Sequence, residues 1–367
     1  MEPKSEEKKN LRTGWTTGAC SAAAAKAAAF CLIHQKNIKD IEIRIPMGKQ
    51  VKFNLKRCEF NKNEATCSVI KDAGDDPDCT NGAELTATVL WINQKGAIVL
   101  DRGQGVAVIT KKGLGLEVGG PAINPVPRKN ITEMVQETAG PFLNEQGLKV
   151  LISVPRGEEM AKETQNERLG ILGGISILGT TGTVVPFSTA AYKASIAQGI
   201  DIVLAAGHDT VVLTTGGRSE TYAMKILGFP NECYVQMGDF VGFSTKQAAL
   251  KGIKKVILCG MPGKMSKIAT GKMQTHVAGS QVDMTFLAEM AKEVGASQSV
   301  IEEIIKANTA RHVHEILTQH GITELWNEVA RKVCEVCHKN SEGKIIIECI
   351  LTDFDGQILG RYEKRTN

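Results

Sequence analysis

Four short segments carry residue types suited to holding a polyanionic ligand: Gly179-Thr180-Thr181-Gly182, Thr214-Thr215-Gly216-Gly217-Arg218-Ser219, Gly238-Asp239-Phe240 and Gly260-Met261-Pro262-Gly263-Lys264. Glycine lets backbone N–H groups come close to a ligand, and a helix starting in such a turn adds partial positive charge. Turns between strands and helices use Gly, Ser, Thr and Asp for capping anyway, so one such segment carries little weight. Four of them, each following an apolar run, carry more. His208 beside Asp209, and His276 within 272–279, lie close to these segments and are candidates for the same site, against the alternative of structural histidines.

The segment from Asp72 to Gly82 gathers the four carboxylates Asp72, Asp75, Asp76 and Asp78. They could hold a cation, polar ring atoms or a ribose, but the spacing does not match an EF-hand, and clustered Asp beside Pro and Gly commonly forms solvated turns. Lys111, Lys112 and Arg128 are candidate partners for ligand carboxylates. The glycines around 103–120 approach a dinucleotide fingerprint, yet prolines follow where a helix is required, which rejects it. Cys334-Glu335-Val336-Cys337-His338 has the form of a haem attachment site, which needs export; a zinc site would want a second ligand pair. Two helix cysteines are the plainer reading, and no resident metal is expected. His312 and His314, two apart, fall on different faces of a helix.

These residues need a scaffold. Ala19 to Lys26 is a strong helix former preceded by threonines that can cap it, so a helix N-terminus is presented early, pointed at a cleft. Short β-rich segments at 41–45, 51–55, 65–70 and 85–91 make the residues up to about 128 an α+β domain, with the Pro-rich 120–127 as its exit. Apolar runs at 149–154, 174–178, 210–213, 233–237 and 255–259 alternate with helical stretches at 188–206, 219–227 and 244–251, stopped by glycines at 207, 228 and 252. That alternation predicts a Rossmann-like, doubly wound α/β domain over 129–295. A helical region with a closing β-hairpin (344–351 and 357–362) follows over 296–367.

Composition agrees with such a two-domain protein of 367 residues. Residues 1–10 read as a disordered, solvated tail, with neither an export signal nor a membrane span in the chain. A cytoplasmic location follows, with the ten cysteines kept as thiols. A net charge of +4 with 5% aromatic residues argues against nucleic acid and suits a polyanionic small molecule. Oligomeric state is left open, a homo-oligomer included.

Together the motifs resemble the cobalt-precorrin-5B C1-methyltransferase family of the anaerobic cobalamin pathway. They are Leu11-Arg12-Thr13-Gly14-Trp15-Thr16-Thr17-Gly18-Ala19-Cys20, the segments 72–82 and 110–128, Val154-Pro155-Arg156-Gly157-Glu158-Glu159, the segment 173–182, Gly207-His208-Asp209-Thr210, Met237-Gly238-Asp239-Phe240 and the segment 260–267. The resemblance runs from Leu11 to about Asp283. It implies methylation of ring carbon C1 of cobalt-precorrin-5B by S-adenosylmethionine, giving cobalt-precorrin-6A. The expected donor site is Gly173, Gly174, Gly179, Thr180, Thr181 and Gly182, with Asp209 or Asp239 on ribose hydroxyls. Asp239 and His208 are the candidate bases. The cobalt-bearing tetrapyrrole, rich in carboxylates, is expected at Thr16, Thr17, Asp75, Asp76, Lys111, Lys112, Arg128, Gly216, Gly217, Arg218 and Lys264. A nicotinamide-dependent oxidoreductase and a non-catalytic corrinoid escort protein remain as alternatives.

Overall fold

An alanine-rich helix organises the first part of the molecule. The computed structural model describes residues 11–276 and 281–366; the tail at 1–10 and residues 277–279 of the His276 motif lie outside the described residues. The chain forms two compact units, Met1–Ser188 and Thr189–Asn367, so the domain boundary expected at 128 falls inside the first.

In the first unit β1 (Gly14–Trp15) leads into α1 (Thr17–His34), whose N-cap Thr16 accepts a hydrogen bond from the Ala19 N–H. Ala22 to Ala25 and Ala27 to Ala29 are wholly buried; a helix apolar on every side belongs inside a core. Strands β2 (Asp40–Arg44) and β3 (Gln50–Asn54) form an antiparallel pair. The main sheet contains β4 (Arg57–Phe60), β5 (Glu64–Ile70), β6 (Glu84–Ile92) and β7 (Ile98–Arg102). After the short β8 (Val108–Ile109), the Pro-rich segment opens α2 (Pro125–Ala139), which packs on α1 through Ile131, Met134 and Val135. It is therefore a helix start, with Pro at its first position, and not a domain exit.

The sheet order is β4-β5-β6-β9-β7, where β9 is Gly147–Ser153. This run was expected to open the parallel sheet, but it pairs antiparallel with β6 and parallel with β7. Its buried residues Leu148, Val150 and Ile152 alternate with partly exposed ones, the pattern of a strand covered on one face. Then come α3 (Gly157–Ala161), β10 (Ile171–Leu172) and β11 (Thr183–Val184). The expected strand at 174–178 is reduced to isolated bridges from Ile175 to Val106 and Ile177 to Ile123.

The second unit begins with α4 (Thr189–Ala205), then β12 (Thr210–Thr214), α5 (Gly217–Leu227), β13 (Tyr234–Gln236), α6 (Val241–Lys251), β14 (Lys255–Gly260) and α7 (Pro262–Ala269). Gly228 and Gly252 end α5 and α6 in the left-handed conformation at φ 63° and 89°, as a C-cap requires. Four helices follow: α8 (Met284–Glu293), α9 (Gln298–Lys306), α10 (Ala310–Gln319) and α11 (Leu325–Asn340). The closing hairpin, β15 (Ile346–Thr352) and β16 (Ile358–Lys364), joins the sheet, whose order is β13-β12-β14-β15-β16 with only β16 antiparallel. Residues of α5 pack with Val212, Ile257 and Ile350. Residues of α4, α6, α7 and α11 pack with Val211, Leu213, Val256 and Leu258. Both faces are thus covered, which is why the strands read as unbroken apolar runs.

Candidate active site

The first parallel strand, β12, lies between β13 and β14. From β12 the chain turns into α5 on one face of the sheet, and from β14 it turns into α7 on the other. In open α/β sheets, loops that leave adjacent strands for opposite faces mark the crevice beyond the carboxyl ends where ligands bind. Thr215, Gly216 and Gly217 stand on the β12 side of that sheet end and Met261, Pro262, Gly263 and Lys264 on the β14 side. The space around these glycines is open: a Cβ on Gly216 or Gly263 would meet nothing within 4 Å, and one on Gly217 only the Gln236 amide at 4.0 Å.

Polar groups converge there. Lys264 Nζ donates to the Thr215 carbonyl at 3.0 Å and sits 3.1 Å from Asp239 Oδ1. Asp239, in the loop after β13, also accepts from the Thr275 hydroxyl at 2.8 Å, and its carbonyl accepts from the Thr275 N–H at 3.0 Å. Burial disfavours charge on Asp239, but the Thr275 hydrogen bond and the Lys264 ammonium outweigh it and hold the carboxyl below its usual range. It is a fixed anionic acceptor and a weak base. Burial is the main reason the Lys267 ammonium lies below the ordinary lysine range, with the charges of Lys264 and Lys272 adding to it; its Nζ donates to the Thr275 carbonyl at 3.2 Å. Arg218 is exposed in the first turn of α5.

The structure brings Gly216, Gly217, Arg218, Asp239 and Lys264 to this one sheet end. It does not bring His208 and Asp209 there: they precede β12 and stand at the amino end, where the Asp209 carbonyl accepts from the Lys254 and Lys255 N–H groups. A five-residue strand separates them from the crevice by roughly 16 Å at about 3.3 Å per residue. Sequence reasoning missed Thr275 and Lys267; the available signal for the latter was its i,i+3 spacing from Lys264 on α7.

Other candidates lie in the first unit. A Cβ on Gly174 would meet the Gly105 carbonyl at 2.2 Å, on Gly179 the Thr16 side chain at 2.5 Å, and on Gly182 the Ile45 side chain at 2.8 Å, whereas Gly173 faces open space. Three of the four glycines are therefore accounted for by protein packed against them. Thr180 and Thr181 are exposed, with the Thr181 hydroxyl 3.1 Å from that of Thr183. Thr16 caps α1, the Thr17 hydroxyl accepts from the Leu178 N–H at 2.9 Å, and the Gly18 N–H donates to the Leu178 carbonyl. The first turn of α1 thus docks on the 173–182 loop.

The acidic segment is likewise engaged with its own unit. Asp75 accepts from the Arg12 N–H at 2.6 Å, Asp76 from the Phe187 N–H at 2.9 Å, and Asp72 pairs with the Arg12 guanidinium. Lys111 packs its stem against Gly170; Lys112 is exposed and Arg128 half-buried on α2. A shallow hollow of about 320 Å³ is lined by Trp15, Lys52, Phe53, Lys56 and Asp72 among others. Cys334 and Cys337 are buried on α11, and burial pushes the Cys337 thiol up to about 12, so neither is poised as a ligand or nucleophile.

Residues 4–186 match the family model CbiD and residues 274–363 match CbiD, C-terminal domain. A cobalt-precorrin-5B C(1)-methyltransferase of Leptospira interrogans serogroup Icterohaemorrhagiae serovar copenhageni is 52% identical over 97% of this chain and 96% of its own. The chain belongs to the CbiD family. A second relative with that name, from Priestia megaterium, is 47% identical over the full length of both chains. A solved structure described as cobalamin biosynthesis protein (cbiD) from Archaeoglobus fulgidus is 25% identical over 88% of this chain and 93% of that one, with a TM-score of 0.39. In this CbiD-family chain the first match covers nearly the whole first unit, and the second runs from the Thr275 contact through the closing hairpin. Among the described residues no helix is long and apolar enough to cross a membrane.

Proposed function

We propose that this chain methylates ring carbon C1 of cobalt-precorrin-5B, with S-adenosylmethionine as donor and cobalt-precorrin-6A and S-adenosylhomocysteine as products. The observation that carries this reading is 52% identity, over nearly all of both chains, to a protein named for that reaction. The second unit acts as a doubly wound, Rossmann-like ligand-binding domain, a reading supported by the two covered faces and the diverging loops at β12 and β14.

The donor is proposed to bind in the crevice beyond β12–β14 instead of along 173–182. The residues there fit it: the glycines leave open space, and Asp239 lies 22 positions after Gly217, in the loop that follows the neighbouring strand β13, the place from which an acidic side chain reaches ribose hydroxyls in such folds. Thr275 and Lys264 orient that carboxylate. Arg218 and the first turn of α5 are placed to receive a carboxylate of donor or tetrapyrrole. The bound donor would supply an electrophilic methyl group on a sulfonium. What these residues contribute is alignment: they fix the ribose, neutralise carboxylates and hold the reactants in line in a confined space. Asp239, kept ionised, serves as an acceptor; a proton leaving the ring would go to another group.

Anaerobic incubation with cobalt-precorrin-5B and methyl-labelled S-adenosylmethionine, followed by mass spectrometry, tests the reading. One label per product ring is expected. A product reduced or oxidised by a nicotinamide without methyl gain, or substrate bound and returned unchanged, would assign the chain to the oxidoreductase or escort class.

A further inference from the structure

Three thiols from distant parts of the sequence meet in the first unit: Cys31 near the end of α1, Cys58 on the edge strand β4 and Cys67 on β5. Among the described residues they are the one group of three or more potential ligands whose donor atoms all lie within 4.8 Å of one another. Cys31 Sγ is 3.2 Å from Cys58 Sγ and 3.9 Å from Cys67 Sγ. Metal–sulfur bonds of about 2.3 Å at tetrahedral angles place thiolate sulfurs about 3.8 Å apart, so the cluster needs only small shifts to close on an ion. Cys67 donates toward Cys31, which favours the thiolate at Cys31, whereas burial pushes the Cys58 thiol up and the contact with Cys31 together with burial pushes the Cys67 thiol up; the geometry of the three sulfurs is what marks the site. The spacings of 27 and 9 residues hide the group from any motif search.

We propose that Cys31, Cys58 and Cys67 form a three-thiolate site for a soft d10 cation, Zn²⁺ or a closely related thiophilic ion. The donor set selects this class, because thiolates favour soft ions over Mg²⁺ or Ca²⁺. Cys31 and Cys67 are buried and Cys58 is partly exposed, so a water molecule can complete the tetrahedron from the Cys58 side. Binding exchanges three S–H protons, released to solvent, for three metal–sulfur bonds, and no electrons are transferred. The site clamps the end of α1 to β4 and β5 and is independent of the methyl-transfer reading.

The test is titration of the reduced, chelator-treated full-length protein with Cd²⁺ alone, following sulfur-to-metal charge-transfer absorbance and proton release. One equivalent per chain is expected, with affinity falling at least tenfold in Cys67→Ser and undiminished in Cys79→Ser, a thiol outside the cluster. Cys58→Ala on the half-exposed edge strand keeps the test decisive if Cys67→Ser unfolds, since it should also lose at least tenfold. Absence of saturable uptake by the wild type, or full affinity in the folded Cys58→Ala protein, overturns the proposal.

Discussion

Lys264 ties two loops together, its Nζ 3.1 Å from Asp239 Oδ1 and 3.0 Å from the Thr215 carbonyl. The contact spans the carboxyl ends of β12, β13 and β14, so the loop positions in the proposed donor site depend on one another.

Asp239→Asn keeps the shape of that site and removes the charge. A hydrogen bond to a charged group is worth about 1.5–3 kcal/mol, so calorimetry should show S-adenosylhomocysteine binding weakened roughly 10- to 100-fold. Stability should change by less than about 1 kcal/mol, because the Lys264 side chain is more than a third exposed and water screens the pair. Unaltered affinity in the folded variant removes Asp239 from the donor site.

Lys264→Met tests positioning as distinct from contact. Without the ammonium, Asp239 still has its hydrogen bond from Thr275, so donor affinity should fall less than in Asp239→Asn. The double variant should resemble Asp239→Asn alone, because contacting residues are not additive. Calorimetry on all three proteins settles it; strictly additive losses mean that Lys264 touches the ligand directly.

Much of this site was legible in the sequence. Apolar runs followed by Gly and Thr mark strands buried on both faces, and that pattern located β12, β13 and β14 together with Arg218, Asp239 and Lys264. The end of the sheet at which a residue stands was harder to read: His208 is close in sequence to Thr214, but β12 carries the chain across the sheet between them. β9 was misplaced because its outward positions include Leu151, so a strand covered on one face looked like a continuous apolar run. The meeting of Cys31, Cys58 and Cys67 depends on how α1 lies against β4 and β5, which local pattern does not encode.

Lys71→Met should destabilise the first unit in a pH-dependent way. The Lys71 side chain is 1% exposed and its Nζ is 2.7 Å from Asp78. Burial disfavours charge on Asp78, but Lys71 and Thr80 outweigh it and hold the carboxyl below its ordinary range. A depressed carboxylate contributes stability above its unfolded value of about 3.9, and that contribution is lost as pH falls through the lower folded value. Removing one partner of a fully buried pair costs about 3–5 kcal/mol; Asp78 keeps its Thr80 hydrogen bonds, so about 2–3 kcal/mol is expected at pH 7. Urea unfolding at pH 7 and pH 3 should show the gap to wild type narrowing in acid. An equal gap at both values would mean that the aliphatic stem of Lys71, and not its charge, is what matters.

Two glycine substitutions decide between the two locations for the donor. Gly179 has φ +126° and a Cβ there would lie 2.5 Å from the Thr16 side chain that caps α1, so Gly179→Val combines backbone strain with overpacking, itself worth about 1–3 kcal/mol. Gly217, with its Cβ position open except for the Gln236 amide at 4.0 Å, accepts alanine without a clash, and as a helical residue it should gain slightly in stability. If the donor binds in the crevice beyond β12–β14, Gly179→Val lowers the melting temperature while its folded fraction binds S-adenosylhomocysteine normally. Gly217→Ala then melts at or above the wild-type temperature but binds the ligand several-fold more weakly, because the added methyl group occupies the space through which the backbone meets it. The reverse pattern, normal binding in Gly217→Ala and lost binding in folded Gly179→Val, would return the donor to the 173–182 loop and leave the crevice to the tetrapyrrole.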